Sequence, residues 1–408
     1  MSGPDITEHL KSGDTVLIGQ ATAEPPVLVE AFIEAAQRID GLTALCGYTL
    51  SDAWTRVREG HPYVKTYAAH GALRALVSAR LADVMPVHYS QMEQLIVEGV
   101  LPVDVVLLQV APADADGYYG LGATVDWAAV AAETARVVLV EVNDSVPHTR
   151  STRRLHRSQV TAAVEAPKPL AGSPSRPPNE VESEVARHTA TLIPDGATLQ
   201  LGVGALADAV ARALHDRRDL RVRSGLVGDW LVDLHEAGAL DLTPGSVVTG
   251  IALGADRLYA FLREAPFVAF APLAEQISSS AMAVSRPFVS VNSAIEVDLL
   301  GQANAEVVGG RYVGAVGGQV DFFRATRGSV GGLAVIALGS TSPSGTSRIV
   351  SQLSGPVTSL KSDVDVVVTE WGIADLRGAS LSQRVERLAA VADPRHRESL
   401  LATRPAWA

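Results

Sequence analysis

The chain has 408 residues, of which 47% are hydrophobic and 19% are charged, and its formal net charge is -11. This length predicts two domains that can each bury a core, and the composition is that of an ordinary soluble enzyme rather than a disordered chain. The negative charge, with no Lys- or Arg-rich face to offset it, argues against a nucleic-acid-binding protein.

The N-terminal segment, MSGPDITEHLKSGD, lacks the basic and then apolar arrangement of a secretory signal. No run approaches the roughly 20 apolar residues that a membrane span requires, so we expect a cytoplasmic protein with no membrane partner. Cys46 is the sole cysteine, which rules out an internal disulfide and a multi-cysteine metal site. His70, His88 and His148 are dispersed and show no metal-ligand spacing. We therefore expect no metal, and we interpret Cys46 as a buried structural thiol.

One pattern occurs twice: a glycine, a short apolar run, a second glycine, a turn of small residues and an amphipathic helix. The first copy runs from Gly13 to Phe32 and the second from Gly196 to Leu214. Each predicts a strand–turn–helix unit that opens one half of the chain. The turn would present main-chain N–H groups to an anion, although the need for a tight turn explains the glycines equally well.

Gly202-Val203-Gly204 in the second copy is not a dinucleotide-binding fingerprint. The third glycine is absent, and no acidic residue follows a strand at ribose-binding distance. A nucleotide-dependent oxidoreductase is therefore disfavoured.

Residues 163–181 are dense in proline, serine and glycine, which is typical of a linker between domains. We predict an N-terminal domain over residues 1–163, a linker over 164–182 and a C-terminal domain over 183–408. Continuous apolar runs indicate buried parallel strands, so the predicted fold class is α/β with two similar domains. These runs are Val105–Val110, Val137–Val142 and Val364–Thr369.

The segment from Ser290 to Arg324 is the most informative part of the chain. Apolar and polar side chains alternate from Val291 to Leu299, which predicts a strand with two different faces. Further along, the paired glycines Gly317 and Gly318 would let the main chain come close to a ligand and present N–H groups to an anion or a thioester oxygen.

Six ordered segments together resemble the acetyl-CoA hydrolase / 4-hydroxybutyrate CoA-transferase family. The segments are APADADGYYGLG (111–122), VEVNDSVPHT (140–149), LGVGALADAV (201–210), GAVGGQVDF (314–322), VVTEWGIADLRG (367–378) and DPRHRESL (393–400). The resemblance implies two similar α/β domains of CoA-transferase type with the active cleft between them, and a homo-oligomer, either dimer or tetramer. It implies acyl-CoA or CoA and a small carboxylate as substrates, with no cofactor beyond coenzyme A.

The resemblance also implies a mechanism. Family members use a glutamate as nucleophile and form a glutamyl–CoA thioester, so that one difficult acyl transfer is divided into easier steps. The glycine loop faces the CoA thioester, and its amides stabilise the oxyanion at each tetrahedral stage.

The segment RSGLVGDWLVDL, from Arg223 to Leu234, matches the family segment that carries this glutamate. Ser224 and Asp229 match, but the glutamate position is Gly225, which has no side chain to carry a thioester. Trp230 replaces a family glycine, which would put a large ring close to the reacting groups.

Two further departures concern the same predicted cleft. Ser278-Ser279-Ser280 stands where the family often has Asn-Asn-Pro, and Ala315 replaces the first glycine of the glycine loop, whereas Gln319 is kept. We predict a remodelled site. The predicted CoA- or substrate-binding residues are Gly202, Gly204, Ser224, Trp230, Ser279, Ala315, Gly317, Gly318 and Gln319.

Another residue could replace the missing carboxylate. Asp229 is four residues from Gly225, one turn away if the segment is helical, although a positioning role explains it better. The serines 278–280 have no recognisable His and acid partners. Three other acidic residues lie at predicted strand ends or turns: Glu24, Glu93 and Glu370. Glu24 is expected to open a helix, where the dipole favours a carboxylate. Glu296 and Asp298 are interpreted as scaffold.

The sequence thus predicts an enzyme that binds an acyl-CoA and acts on its thioester without a glutamyl–CoA double displacement. Direct attack by water on the bound thioester, or another reaction of an acyl-CoA held by the glycine loop, fits the residues better. The alternative is a CoA-ester-binding homologue or partner subunit whose chemistry has been lost.

Overall fold

The structure is a computed structural model that describes residues 4–278, 281 and 287–403. Up to residue 173 the helices are α1 (Pro26–Ala35), α2 (Leu73–Ser78), α3 (Gln91–Val97) and α4 (Trp127–Ala131). The strands of this part are β1 (Thr15–Ile18), β2 (Thr43–Cys46), β3 (Tyr63–Thr66), β4 (Ala82–Val84), β5 (Val105–Ala113), β6 (Tyr118–Gly120), β7 (Val137–Val142), β8 (Arg150–Ser151), β9 (Leu155–His156) and β10 (Ala162–Glu165). Short 3-10 helices lie at Thr7–His9, Ala21–Ala23, Asp52–Arg56 and Arg157–Gln159.

In the remaining described residues, helices and strands alternate from residue 180 to residue 276, and several strands follow one another after that. The helices are α5 (Glu180–Ala190), α6 (Ala205–Arg212), α7 (Trp230–Glu236), α8 (Asp256–Arg263), α9 (Leu273–Gln276), α10 (Gln319–Ala325), α11 (Leu381–Ala390) and α12 (Pro394–Ala402), with a 3-10 helix at Thr326–Gly328. The strands are β11 (Thr198–Leu201), β12 (Arg221–Val227), β13 (Val247–Ala252), β14 (Val268–Phe270), β15 (Phe288–Asn292), β16 (Glu296–Asp298), β17 (Ala303–Asn304), β18 (Val307–Val308), β19 (Arg311–Tyr312), β20 (Leu333–Ala337), β21 (Ile349–Val350), β22 (Val366–Thr369) and β23 (Gly372–Asp375).

The chain divides into two compact units. Unit 1 comprises Met1–Ser173, Val247–Gln276 and Tyr312–Gly317. Unit 2 comprises Pro174–Ser246, Ile277–Arg311 and Gly318–Ala408.

Unit 1 contains a parallel sheet in the order β10-β7-β5-β1-β2-β3-β4. Every residue of Val137–Val142 is buried, as expected for a strand covered on both faces. The strand–turn–helix prediction for Gly13–Phe32 is confirmed, since β1 leads through a 3-10 turn into α1. Strands β13, β14 and β8 also belong to unit 1, and β14 pairs in parallel with both of the others.

Unit 2 contains strands in the order β23-β22-β20-β15-β11-β12, all parallel except for β23. The second strand–turn–helix prediction is confirmed by β11 and α6. Helix α5 begins with a capping box in which Asn179 and Glu182 satisfy each other's main-chain N–H groups. These elements place the carboxyl ends of β11, β12 and β15 at one edge of the sheet.

The predicted strand over 291–299 is divided into β15 and β16. Among its polar residues Glu296 and Asp298 are buried, as is Ser290 just before it, whereas Ser293 is exposed. Hydrogen bonds explain this burial: Ser290 Oγ donates to Gln200 Oε1 at 2.5 Å, and Glu296 accepts from Asn304 Nδ2 at 2.9 Å. Polar side chains on a buried strand are tolerated when they pair with one another.

The two units also differ from the contiguous domains that we predicted. Residue 163 lies inside β10, and unit 1 continues to Ser173, whose N–H donates to the carbonyl of Gly254. The predicted linker extends to residue 182, but α5 already begins at Glu180. Because residues 247–276 and 312–317 belong to unit 1, the second half of the chain is not one continuous domain.

Candidate active site

The turn between β11 and α6 contains Gly202 and Gly204, and it lies wholly in unit 2. Gly204 has a φ of 104°, a conformation that glycine adopts without strain. A Cβ atom built on either glycine would have no described atom within 4 Å. Packing therefore does not require glycine at position 202, and the main chain of this turn is left open on that side.

The side chains of Ser224 and Trp230 are buried and donate hydrogen bonds to main-chain carbonyls at this turn. The Ser224 hydroxyl lies within hydrogen-bond distance of the carbonyl oxygens of Leu201 (2.6 Å) and Leu226 (2.8 Å). Trp230 Nε1 donates to the Gly202 carbonyl at 3.0 Å, and both side chains are fully buried. Their polar atoms are engaged within unit 2, where they support the turn. The expected position of Trp230 beside the reacting groups stays a prediction.

Gly225 lies in β12, and Asp229 directly precedes α7. The condition under which Asp229 would lie one helical turn from Gly225 is not met, because the chain passes from a strand through Gly228 into the helix. Residue 225 supplies no carboxylate.

A carboxylate that our sequence reasoning overlooked, Asp208, lies in the first turn of α6. Burial raises the pKa of Asp208, and the nearby charges of Asp229 and Asp233 act in the same direction, while a hydrogen bond from Ser175 opposes them. Only its place in the matched segment LGVGALADAV could have drawn attention to it.

The glycine loop, residues 314–318, is attached to unit 1 by its main chain. The carbonyl of Gly314 accepts from Ala69 N at 3.0 Å, and that of Gly317 accepts from Tyr89 N at 3.0 Å. Ala315 pairs with Ala68 in an antiparallel bridge. Gly317 has a φ of 58°, so the loop needs glycine there.

The other end of the loop enters α10 in unit 2. Gly318 has a φ of -93°, which any residue can adopt, and it occupies the N-cap position of the helix. Gln319 is buried, and its Nε2 donates to Ser359 Oγ at 2.8 Å. The Gln319 amide therefore has a partner inside unit 2. Ser279, the remaining predicted binding residue, lies outside the described residues.

A buried polar network in unit 1 was not predicted. Gln20 follows the glycine of the first turn, and its Nε2 donates to Tyr89 Oη at 2.7 Å and to Asp126 Oδ2 at 2.6 Å. Its Oε1 accepts from Tyr67 Oη at 2.9 Å. Burial raises the pKa values of Asp126, Tyr67 and Tyr89. Since Tyr89 N also donates to the Gly317 carbonyl, this network is connected to the glycine loop through Tyr89.

The anion site that we expected at the first turn is filled by the protein itself. Glu141 Oε2 accepts from Val27 N at 2.8 Å and from Leu28 N at 3.2 Å, at the N-terminus of α1. We had expected Glu24 at that helix end, but its carboxylate does not bind there. It accepts instead from Ser51 N at 3.0 Å and from Trp54 Nε1 at 2.7 Å.

Burial raises the pKa of Glu24 to about 7, and it also raises that of Glu93 to about 7. Glu370 is engaged with Ser340, which donates from its N at 2.8 Å and its Oγ at 2.6 Å. Glu296 and Asp298 are buried and hydrogen-bonded within unit 2, as a scaffold role requires.

His88 is a further residue near the glycine loop that our sequence reasoning did not assign to the site. It forms a parallel bridge with Gly317, and its own N–H donates to Gln91 Oε1 at 3.0 Å. The side chain is half-buried, and its Nδ1 is enclosed without a hydrogen-bond partner among the residues that the structure describes.

The predicted site residues are thus distributed over both units. Ala315 and Gly317 belong to unit 1, and the other predicted residues that the structure describes belong to unit 2. Within unit 2, the turn glycines, Ser224 and Trp230 are brought together by the hydrogen bonds described above. In the described part of the chain, no helix has the length and apolar character that crossing a membrane would need.

Comparison with known proteins identifies the family. The acetyl-CoA hydrolase/transferase N-terminal domain model matches residues 1–169, and the corresponding C-terminal domain model matches residues 254–404. The chain is 34% identical over 406 residues to 4-hydroxybutyrate coenzyme A transferase of Clostridium kluyveri, covering 96% of this chain and 94% of that protein.

Solved structures give the same result. RipA from Yersinia pestis is similar with a TM-score of 0.91 and 31% identity, covering 98% of this chain and 96% of that one. The 4-hydroxybutyrate CoA-transferase of Porphyromonas gingivalis is similar with a TM-score of 0.80 and 29% identity, covering 97% and 94% of the two chains. The predicted α/β fold of CoA-transferase type is confirmed, and the chain belongs to the acetyl-CoA hydrolase/transferase family.

Proposed function

We propose that the protein is an enzyme that binds an acyl-CoA and acts on its thioester by direct attack of water, not through a glutamyl–CoA intermediate. The observation that carries this proposal is Gly225. The sequence resemblance implies the family's nucleophilic carboxylate at this position, and a glycine in β12 has no side chain that could form a thioester. Water is then the simplest nucleophile.

Two features of the glycine loop support it as the place where the thioester binds. Its carbonyls at Gly314 and Gly317 are used by main-chain donors of unit 1, which fixes the loop's conformation. Donors that are fixed before the substrate arrives are the most effective at stabilising a developing oxyanion. Retention of this loop, despite the loss of the glutamate, favours continued binding of a CoA ester.

Gly225 also supports a second function, that of a CoA-ester-binding homologue or partner subunit that has lost its chemistry. Both functions require binding of CoA or an acyl-CoA, and they differ only in turnover. In either case we propose a CoA ester and a small carboxylate as the molecules involved, with no cofactor beyond coenzyme A.

Calorimetry with CoA and acetyl-CoA, followed by assays of CoA release with and without acetate, separates these possibilities. We expect binding, and a rate of CoA release that does not depend on acetate. Release can be followed with a thiol reagent, because the sole cysteine, Cys46, is fully buried. Binding without turnover would favour the inactive homologue, and a folded protein that binds neither compound would overturn the CoA function.

A further inference from the structure

The family's glutamate is replaced by glycine, so hydrolysis would need another group to activate water. A general base must come within hydrogen-bond reach of the attacking water, and histidine is the side chain most often used. His88 lies next to the glycine loop in unit 1, through its bridge with Gly317.

The main chain around His88 is fixed on both sides. His88 N donates to Gln91 Oε1 at 3.0 Å, and Tyr89 N donates to the Gly317 carbonyl at 3.0 Å. The Tyr89 hydroxyl is held in turn by Gln20, at 2.7 Å. The imidazole is therefore carried by main chain whose position relative to Gly317 is determined by hydrogen bonds, as positioning of a catalytic group requires.

One nitrogen of the ring, Nδ1, is enclosed and has no hydrogen-bond partner among the described residues. Buried polar atoms are nearly always paired, and a catalytic role is one explanation of an unpaired one. Because Nδ1 is closed to solvent, Nε2 of this half-buried side chain is the nitrogen that would take a proton from water. His70, by contrast, is stacked on Tyr48 with ring centroids 5.8 Å apart, and burial lowers its pKa to about 4.

We propose that His88 is the general base that activates water for attack on the acyl-CoA thioester. This inference rests on the proposed function, and it adds the residue that replaces the missing carboxylate in the reaction. As water oxygen bonds to the thioester carbonyl carbon, the O–H bond breaks and the proton passes to the His88 imidazole. Collapse of the tetrahedral intermediate breaks the C–S bond, and the leaving thiolate takes the proton from the imidazolium, which gives a carboxylic acid, free CoA and neutral His88.

The test compares His88→Ala, His88→Gln and the wild-type chain in acetyl-CoA hydrolysis and acetyl-CoA binding. We expect His88→Ala to lower kcat by about 10²- to 10⁴-fold, with the dissociation constant of acetyl-CoA changed by less than about threefold. Imidazole added to the solution should restore part of the His88→Ala rate and leave the wild-type rate unchanged. His215→Ala, at an exposed histidine of unit 2, is the matched control and should hydrolyse acetyl-CoA at the wild-type rate.

His88→Gln provides the test if the alanine variant fails to fold, since it keeps a polar side chain and lacks a basic nitrogen. A kcat within about threefold of wild type in either folded variant would overturn the assignment. So would a loss of rate that imidazole does not restore, or wild-type protein that binds acetyl-CoA and does not hydrolyse it. Absence of binding in the wild-type chain is a different result, because it overturns the proposed function as well.

Discussion

Tyr89 and Gly317 are joined by a main-chain hydrogen bond of 3.0 Å between the Tyr89 N–H and the Gly317 carbonyl. The tyrosine side chain extends the connection inward, since its hydroxyl accepts from Gln20 Nε2 at 2.7 Å. One residue therefore connects the glycine loop to the buried polar network of unit 1. Removal of the hydroxyl separates the two parts of this connection without altering the main-chain bond.

We expect Tyr89→Phe to lower the free energy of unfolding by about 1–3 kcal/mol, because Gln20 and Asp126 lose a buried hydrogen-bond partner. Urea unfolding of the two proteins measures this difference. Tyr63→Phe is the matched control: Tyr63 is 41% exposed, and its hydroxyl bonds to Asp83 at the surface. Equal losses in the two variants would show that the Tyr89 network does not contribute as described.

Gly317→Ala tests whether the conformation of the glycine loop contributes to acyl-CoA turnover as well as to stability. The φ of 58° makes alanine unfavourable by about 1 kcal/mol, but the added Cβ would meet only the Ala315 Cβ, at 3.7 Å. Gly60→Ala has the same kind of strain, since Gly60 has a φ of 75° and open space around it. We expect similar losses of stability, with a fall in acyl-CoA turnover of about tenfold or more in Gly317→Ala alone. Equal turnover in the two variants would contradict a role for the loop at the thioester.

The sequence predicted the fold well because its signals are local. A glycine, an apolar run and an amphipathic helix are enough to define β1 with α1 and β11 with α6. The family motifs then gave the α/β fold class of CoA-transferase type. The observed division into two units could not be predicted in the same way, because unit 1 includes residues 247–276 and 312–317 from the second half of the chain.

The candidate site was less predictable, because the direction of a side chain depends on contacts distant in sequence. Ser224 and Trp230 occupy the expected segment, but their polar atoms point to Leu201 and Gly202 inside unit 2. His88 is more than two hundred residues from Gly317 in sequence, and no local pattern indicates their bridge. A motif identifies which residues belong to a site, and it does not show which atoms remain available for a ligand.

The raised pKa of Glu24 predicts that the free energy of unfolding falls as the pH rises. Burial raises the pKa of Glu24 from 4.5 to about 7, so between these values the folded protein holds a proton that the unfolded chain has released. The free energy of unfolding should therefore decrease from pH 5 to pH 8, by about 3 kcal/mol for this group, and the loss is complete above pH 7. Urea unfolding across this range should give a shallower decrease for Glu24→Gln than for wild type. Parallel curves would contradict the raised pKa.

Gly225→Glu tests the proposed reaction at the position where the sequence motif predicts the family's nucleophilic carboxylate. Incubation of the wild-type protein with acetyl-CoA, followed by mass spectrometry, should reveal no CoA adduct, because residue 225 has no carboxylate. Gly225→Glu restores that group and should give a detectable adduct, whereas Gly225→Gln has nearly the same shape and should give none. We expect the restored transferase rate to be partial at most, since Ala315 still replaces a glycine of the loop. An adduct on Asp229 of the wild-type chain would instead show that the nucleophile has moved, and it would overturn direct attack by water.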